Sequence, residues 1–561
     1  MLQPTRETVV RLLVGLLVLT LRASAANVIY VDADATGANT GQSWADAFTD
    51  LRVALAAAGT AGEGTEVWVA AGTYKPAPPG GNREIYFALA DGVGVYGGFA
   101  GNETLRQQRD VTANPTILDA DLNGDDGPDD ASRNDNSYFL VQASGTPAGA
   151  ILDGFTVRHA TAGNYAGGIM NSSRLTIANC ILRANSYFGA DIANYGILEV
   201  RNCLFEGDGT NTAGAAISTA PSSSATTTIT DCLFRNYAMQ LQFGLAPRAI
   251  VDLKGSATVT RCVFERNEVI TRFITSLDTA AVIRAGSGRI TLNQCRISDN
   301  VITFPDVTGS PVPGAAVFVN GMEFTLANSV IARNTAESGA GVVALFGYAR
   351  IINSTIAFNR ATKTMLSGVI SLVGGIGAIE NSIVWGNTGT GSGTVTQVSA
   401  YFPPTYSCIQ NWTGGGVGNI TNDPRFVDPD GADDIPGNAD DDFRLQAGSS
   451  CIDAGRNLAL PPGFLTDLAG WPRFVDDPNT PDAGAGTPPI VDMGAFEYQP
   501  PSPADLNADG GVNGADCMLF EACAAGPNLP IPPGCSKADL DGDGDVDQAD
   551  YGILQAAMGR K

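Results

Sequence analysis

Positive charge is scarce in this 561-residue chain, and histidine is almost missing. There are five lysines, 33 Lys+Arg in all against 58 Asp+Glu, and a formal net charge of -25. Nucleic acid and anionic membranes are held by basic patches, so this balance argues against both as partners. The one histidine, His159, leaves no room for a His-rich zinc site and removes most Ser/His or Cys/His catalysis. A turn or surface role is expected for it. No segment after the first 25 residues is apolar enough to cross a bilayer, so no transmembrane segment is expected in the mature chain. Amphipathic helical periodicity is also lacking between the strand-like segments, which excludes leucine-rich and helical repeats.

What is present begins with an export signal. Arg6 and Arg11 precede the apolar run Leu12 to Leu21, and Ala23-Ser-Ala25 offers small residues for cleavage. Residues 1–25 are therefore read as a signal peptide, with an extracellular or cell-surface destination.

An internal repeat follows. The unit Leu175 to Asn185 carries Cys180 at its centre and recurs around Cys262, Cys295, Ser329, Ser354 and Ser382. Successive units lie 23 to 34 residues apart. Many are preceded by a small-residue element such as Gly167-Gly168-Ile169 or Gly314 to Val317. The strands are short, β-branched and alternating, with Gly, Asn and Ser between them. Such strands bury a face only by stacking coil on coil. The expected fold is mainly β: a right-handed, single-stranded parallel β-helix over 151–398, with a cap and first coils over 26–150. A short covering helix is predicted from Ser43 to Ala58, with Ser43 as its cap.

The Cys/Ser position is read as inward-facing. Cys180, Cys203, Cys232, Cys262 and Cys295 then form a reduced internal ladder. The Asn five residues later (Asn185, Asn267, Asn300, Asn334, Asn359, Asn387) is placed at a turn, with left-handed φ and amides bonded above and below. Of the other cysteines, Cys523 with Cys535 is the favoured disulfide and Cys408 with Cys451 a second candidate.

Residues 399–498 are Pro- and Asp-rich and are read as the C-terminal end of the solenoid. A linker, 499–503, leads to a small helical module at 504–561 with two acidic loops. These run from Asp505 to Asp516 and from Asp539 to Asp550, 34 residues apart. Oxygen-bearing side chains stand at positions 1, 3, 5, 9 and 12: Asp505, Asn507, Asp509, Asn513, Asp516, and Asp539, Asp541, Asp543, Asp547, Asp550. Gly510 and Gly544 stand at position 6. That spacing wraps a hard divalent cation. Val512 and Val546 at position 8 are expected to pair the loops.

These features carry a resemblance. The repeat resembles the pectate-lyase-like right-handed β-helix superfamily and, in units such as Phe264-Glu-Arg-Asn267, the repeats of polymorphic outer membrane proteins. Asp423 to Tyr498 is similar to the choice-of-anchor Q domain of bacterial surface proteins. Residues 504–559 resemble a type I dockerin domain. The dockerin resemblance implies two Ca²⁺ ions and a cohesin-like or other surface partner. Gly511 and Asp545 would add backbone carbonyls, and Asn513 and Asp547 would act at position 9, through water. The spacer departs from the pattern in its extra Cys and Pro residues, and no clear cohesin-recognition pair stands beside the loop ends.

Three further acidic groups are candidates. Asp119, Asp121, Asn123 and Asp125 have calcium-loop spacing, and Asp428-Pro-Asp430 through Asp442 is similar. Asp191, Arg201, Asp208 and Asp231 could meet across coils. No paired-carboxylate or Gly-His-Gly signature of a polysaccharide enzyme is present. The expected function is an exported, calcium-binding β-helix protein that binds polysaccharide or a surface partner and attaches through its C-terminal module. The alternative is a secreted polysaccharide lyase or glycoside hydrolase carrying a dockerin.

Overall fold

The computed structural model describes residues 27–126, 133–161, 167–183, 185, 189–207, 211–212, 214–220, 225–241, 249–271, 281–303, 315–321, 323–336, 341–344, 347–362, 369–372, 376–389, 396–400, 403–434, 440–507 and 512–558. The expected signal peptide lies outside them.

Short alternating strands stack into three long parallel sheets. Sheet I has 12 strands, from Val28–Val31 to Ile376–Glu380. Sheet II has 11, from Phe87–Leu89 to Val398–Ala400, and sheet III has 12, from Gly72–Tyr74 to Cys408–Ile409. A seven-stranded narrow sheet IV joins from Asn211–Thr212 onward. The chain visits sheets II, I and III in turn, so each circuit adds one coil of a parallel β-helix, in the right-handed sense that twisted parallel crossovers take.

Equivalent residues stay in register, and apolar columns fill the interior. In sheet I the column runs Ile177, Val200, Ile229, Val259, Leu292, Leu326, Ile351, Ile379. In sheet III, Phe205, Phe234 and Phe264 stack with centroids 4.5 Å apart. One continuous core results, and a one-residue slip would turn every column outward.

The N-terminal end is closed by α1 (Leu51–Ala61). Leu51, Ala54, Leu55 and Ala58, at helical spacing, enter the solenoid core. Its cap is Asp50, whose carboxylate accepts from Arg52 N at 2.8 Å. Ser43 instead closes a local turn with Asp46. The Trp44–Phe48 stretch is not helical because the Phe48 backbone bonds the Tyr30 backbone at the first strand of sheet I.

Both ladders exist, and they divide the turn chemistry differently from the expectation. Each Ser/Cys side chain donates to the carbonyl two residues earlier, as in Ser329 Oγ to Ala327 O (2.6 Å) and Cys180 Sγ to Ala178 O (3.1 Å). It also accepts the amide of the preceding coil, as in Cys295 N to Ser329 Oγ (3.0 Å). The asparagines form an amide tape. Asn267, Asn300, Asn334 and Asn359 Nδ2 each donate to the next Oδ1 at 2.8–3.0 Å, ending on Asn387. None of these asparagines has positive φ. The left-handed residue is the one before: Arg266, Asp299, Arg333, Phe358 and Gly386. The amide must point inward to meet its neighbours, so the chain turns one residue earlier. His159 holds the corresponding position in an earlier coil, with φ of 67°, in agreement with a turn role.

Residues 423–498 do not add coils. They fold back over the outer face of the last ones. Phe426, Phe443, Ile452, Met493 and Phe496 cover the outward residues Val330, Ala357, Ile383 and Cys408. Arg473, fully buried, donates to Asn328 Oδ1 (2.9 Å) and pairs with Glu497 (3.4 Å). Asn353 Nδ2 donates to Asp492 O at 3.0 Å. Cys408 and Cys451 are both buried here as free thiols rather than a disulfide. Cys408 lies on the outer side of its strand, next to the ladder residue Ser407, and its Sγ donates to Asn422 O. No helix among the described residues is long and apolar enough to cross a membrane.

Candidate metal-binding loops

Residues 504–558 fold as two loop–helix units. Helix α2 spans Gly514–Cys523 and α3 spans Gln548–Ala557. Each helix starts directly after the ninth residue of an acidic loop. Asn513 Oδ1 accepts from Ala515 N (2.9 Å) and Asp547 Oδ1 from Ala549 N (2.7 Å), giving each helix an N-cap. The twelfth residue closes the loop. Asp516 and Asp550 accept the cap amide on Oδ2, both at 2.8 Å, and two amides from the loop start on Oδ1. Both are fully buried. Burial alone would raise the Asp550 carboxyl, but the amides of Asp547, Asp541 and Leu540 hold it below the ordinary range.

In the second loop the Asp539 oxygens accept from Gly542 N (2.9 Å) and Gly544 N (3.2 Å). The carboxylates of Asp539, Asp541 and Asp543 converge within 4.8 Å, and so do those of Asp545, Asp547 and Asp550. The Asp543 amide lowers the Asp541 carboxyl, but desolvation and the charges of Asp543, Asp550 and Asp539 outweigh it and raise it. A hard cation would relieve that repulsion, and an all-oxygen donor set suits one. The Asp545 side chain turns to the spacer, where it accepts from Asn528 N, and its buried Oδ1 has no partner. In the first loop, Asp505, Asn507, Asn513 and Asp516 are described, whereas Asp509 and Gly511 lie outside the described residues.

The module packs on Ala504, Phe520, Ala538, Val546 and Leu554. Val546 does not bridge to Val512. Its carbonyl accepts from Ala525 N and Gly526 N, because the spacer crosses there, while Val512 joins the small core. Cys523 and Cys535 form the expected disulfide and clip that spacer. Leu519 and Ile553, equivalent positions on α2 and α3, are both exposed.

The remaining sequence candidates separate. Asp191 is buried and accepts from the Tyr237 hydroxyl, Arg201 faces Glu199 at 3.6 Å, and Asp231 pairs with Arg261 at 2.6 Å. They form no common cluster, since Asp191 lies in sheet II and Arg201 ends a sheet I strand; Asp208 is outside the described residues. Asp441 pairs with Arg333 (2.6 Å) and Asp442 with Arg444, so the end of the second acidic stretch is spent on ion pairs. Asp119 is taken by Arg158 and His159. Three groupings were not read from spacing: Asp121 with Asp125 and Asp135, Asp121 with Asp126 and His159, and Asp453 with Asp476 and Asp482. Their members are too far apart in sequence for a 12-residue template.

Residues 503–558 match the family model of the Dockerin type I domain. No curated protein matches the sequence. Among solved structures, pectate lyase Pel9A is 15% identical, with 84% of this chain and 96% of that chain covered and a TM-score of 0.39. A rhamnogalacturonan lyase is 10% identical, with 75% and 97% covered and a TM-score of 0.34. The A-module of an Azotobacter vinelandii mannuronan C-5 epimerase is 14% identical, with 68% and 100% covered and a TM-score of 0.29.

Proposed function

We propose that this is an exported β-helix protein that attaches to a cohesin-type surface partner through a calcium-dependent dockerin module and presents its solenoid to polysaccharide. The observation that carries the reading is the near-duplicate loop–helix unit, in which residues 9 and 12 make the same backbone bonds in both copies. Asp505, Asn507, Asp509 and Asp516 would hold one Ca²⁺, with the Gly511 carbonyl and Asn513. Asp539, Asp541, Asp543 and Asp550 would hold the second, with the Asp545 carbonyl and Asp547. Bound calcium would fix the angle between each loop and its helix. Leu519 and Ile553 would then stand as a matched apolar pair for the partner.

The solenoid supports the glycan half through sheet I. Its outward column Thr228, Thr258, Thr291 and Thr325 sets hydroxyls in register along one face. Such a face offers donors and acceptors to a chain of sugars without requiring catalysis.

The test is binding of the full chain to a panel of type I cohesins with and without Ca²⁺. The wild type is expected to bind only with calcium, and the pair Asp505→Ala with Asp539→Ala is expected to abolish binding. Calcium-independent capture would contradict the reading. A polysaccharide screen for unsaturated or reducing-end products addresses the solenoid: bound but unaltered glycan is expected, and product formation would favour a lyase or hydrolase.

A further inference from the structure

A second kind of cation site lies far from the C-terminal loops, against the first coils of the solenoid. Sheet III strand Thr116–Asp119 ends in an acidic loop that returns to strand Val141–Ala143. Asp121, buried, accepts the amides of Gly124 and Asp125 on Oδ1 and that of Asp126 on Oδ2. Its carboxylate lies within 4.8 Å of those of Asp125 and Asp135, and also in a group of the same size with Asp126 and His159.

Two buried oxygens in this cluster have no partner. The Asp126 side chain is 4% exposed, and its Oδ1 accepts no hydrogen bond. Asn136 is fully buried. Its Nδ2 donates to Asp126 Oδ2 and to His159 O, both at 2.7 Å, which leaves its Oδ1 beside the same carboxylate with no donor. A buried polar atom without a partner is destabilising by about 1–3 kcal/mol. Two of them beside a pair of acidic groupings that share Asp121 point to a missing positive charge.

The cations nearby do not fill that role. Arg158 makes both of its bonds to Asp119, at 2.9 and 2.7 Å. His159 Nδ1 is 2.9 Å from Asp119 and 3.7 Å from Asp126. The Arg133 charge acts on Asp126, but burial and the Asp121 charge outweigh it. The backbone is held independently of any ion: Arg83 Nε donates to Asn136 O, Ser137 N to Ala120 O and Lys75 Nζ to Leu122 O. These bonds anchor the two ends of the loop, at Leu122 and at Asn136–Ser137.

We infer that Asp121, Asp125, Asp126, Asp135 and the Asn136 carbonyl form a calcium site that pins the loop to the first coils, with His159 as its wall. The donors are oxygens, four of them charged, and hard divalent cations of the calcium class take six to eight such ligands. The site is independent of the dockerin-like loops and of the function proposed for them.

The experiment is calcium binding by equilibrium dialysis on the full chain carrying Asp505→Ala and Asp539→Ala. That protein should retain about one ion per chain. Adding Asp121→Ala should remove it, with the β-sheet circular dichroism unchanged. Asp125→Asn, at an exposed position, should weaken calcium binding at least about tenfold by loss of one ligand charge. The inference is overturned if the loop-disabled protein retains no ion, or if the retained ion is indifferent to both Asp121→Ala and Asp125→Asn. Should Asp121→Ala fail to fold, Asp125→Asn alone decides. Loss of cohesin binding with this ion retained would leave the inference standing, and the reverse result would leave only the attachment function.

Discussion

Inside the solenoid, cysteines are buried thiols and asparagines are links in a tape; in residues 504–558 the same residue types make a disulfide and cap a helix. The solenoid repeats one solution coil after coil, so its stability is a sum of neighbour terms spread over its length. The module has five fully buried apolar residues and cannot rely on them alone. It adds a covalent clip and concentrated negative charge that a cation can bind. Redox chemistry separates in the same way. Burial pushes the Cys203 and Cys262 thiols well above their ordinary range and Cys295 up to about 12. Hydrogen bonds from Cys203 and Cys262 act on Cys232 in the opposite direction and outweigh its burial.

The largest expected effect lies where the 423–498 segment meets the coils. Arg473→Ala leaves buried Glu497 and Asn328 without their cation and should lower stability by about 3–5 kcal/mol. Denaturant midpoints would measure it, and limited proteolysis should then cut first within 423–498. Asn300→Ala breaks the tape on both sides, since Asn300 donates to Phe264 O and Asn334 Oδ1 and accepts from Asn267. A loss of about 2–4 kcal/mol is expected from the unpaired groups. Cys295→Ser, by contrast, should cost less than about 1 kcal/mol, because serine already serves at 329, 354 and 382 with the same bonds.

Reducing Cys523–Cys535 should destabilise the module by about 2–3 kcal/mol and leave the solenoid transition in place. A solenoid midpoint that moved with reductant would erase the contrast. A further effect is pH dependence at the seam between solenoid and C-terminal segment. Burial and the Asp441 charge push Asp299 up to about 7, and burial pushes Asp492 up to about 7. Unfolded, such carboxyls titrate near ~4. Between these values the folded state holds the extra protons, so their stabilisation is full below ~4 and is lost as pH rises through about 7. The solenoid melting temperature should therefore be higher at pH 5 than at pH 8, and Asp299→Asn should flatten the difference.

The repeat was legible because each coil solves the same local problem, and Cys180, Cys295 and Ser329 announce it by spacing. The Asn tape followed from the same reading, and the 523–535 disulfide from the cysteines that fall outside the repeat. The left-handed turn was misplaced by one residue, since period alone does not say which of two neighbours points inward. The fold-back of 423–498 was hidden for a different reason. Gln294 meets Asp467 across 173 positions, and no periodicity encodes such a contact. The Asp121 cluster was half legible. Its spacing showed Asp121 and Asp125, but Asp135 and Asn136 arrive from the far side of the loop, and Asp119 is diverted to Arg158.

Hydrogen exchange of the full chain, with calcium and then with chelator, tests the contrast most directly. The account predicts that chelation strips amide protection from 504–558 and loosens 121–136, while the coils from Arg174 to Trp385 keep theirs. Unchanged protection across 504–558, or a loss spread through those coils, would contradict it.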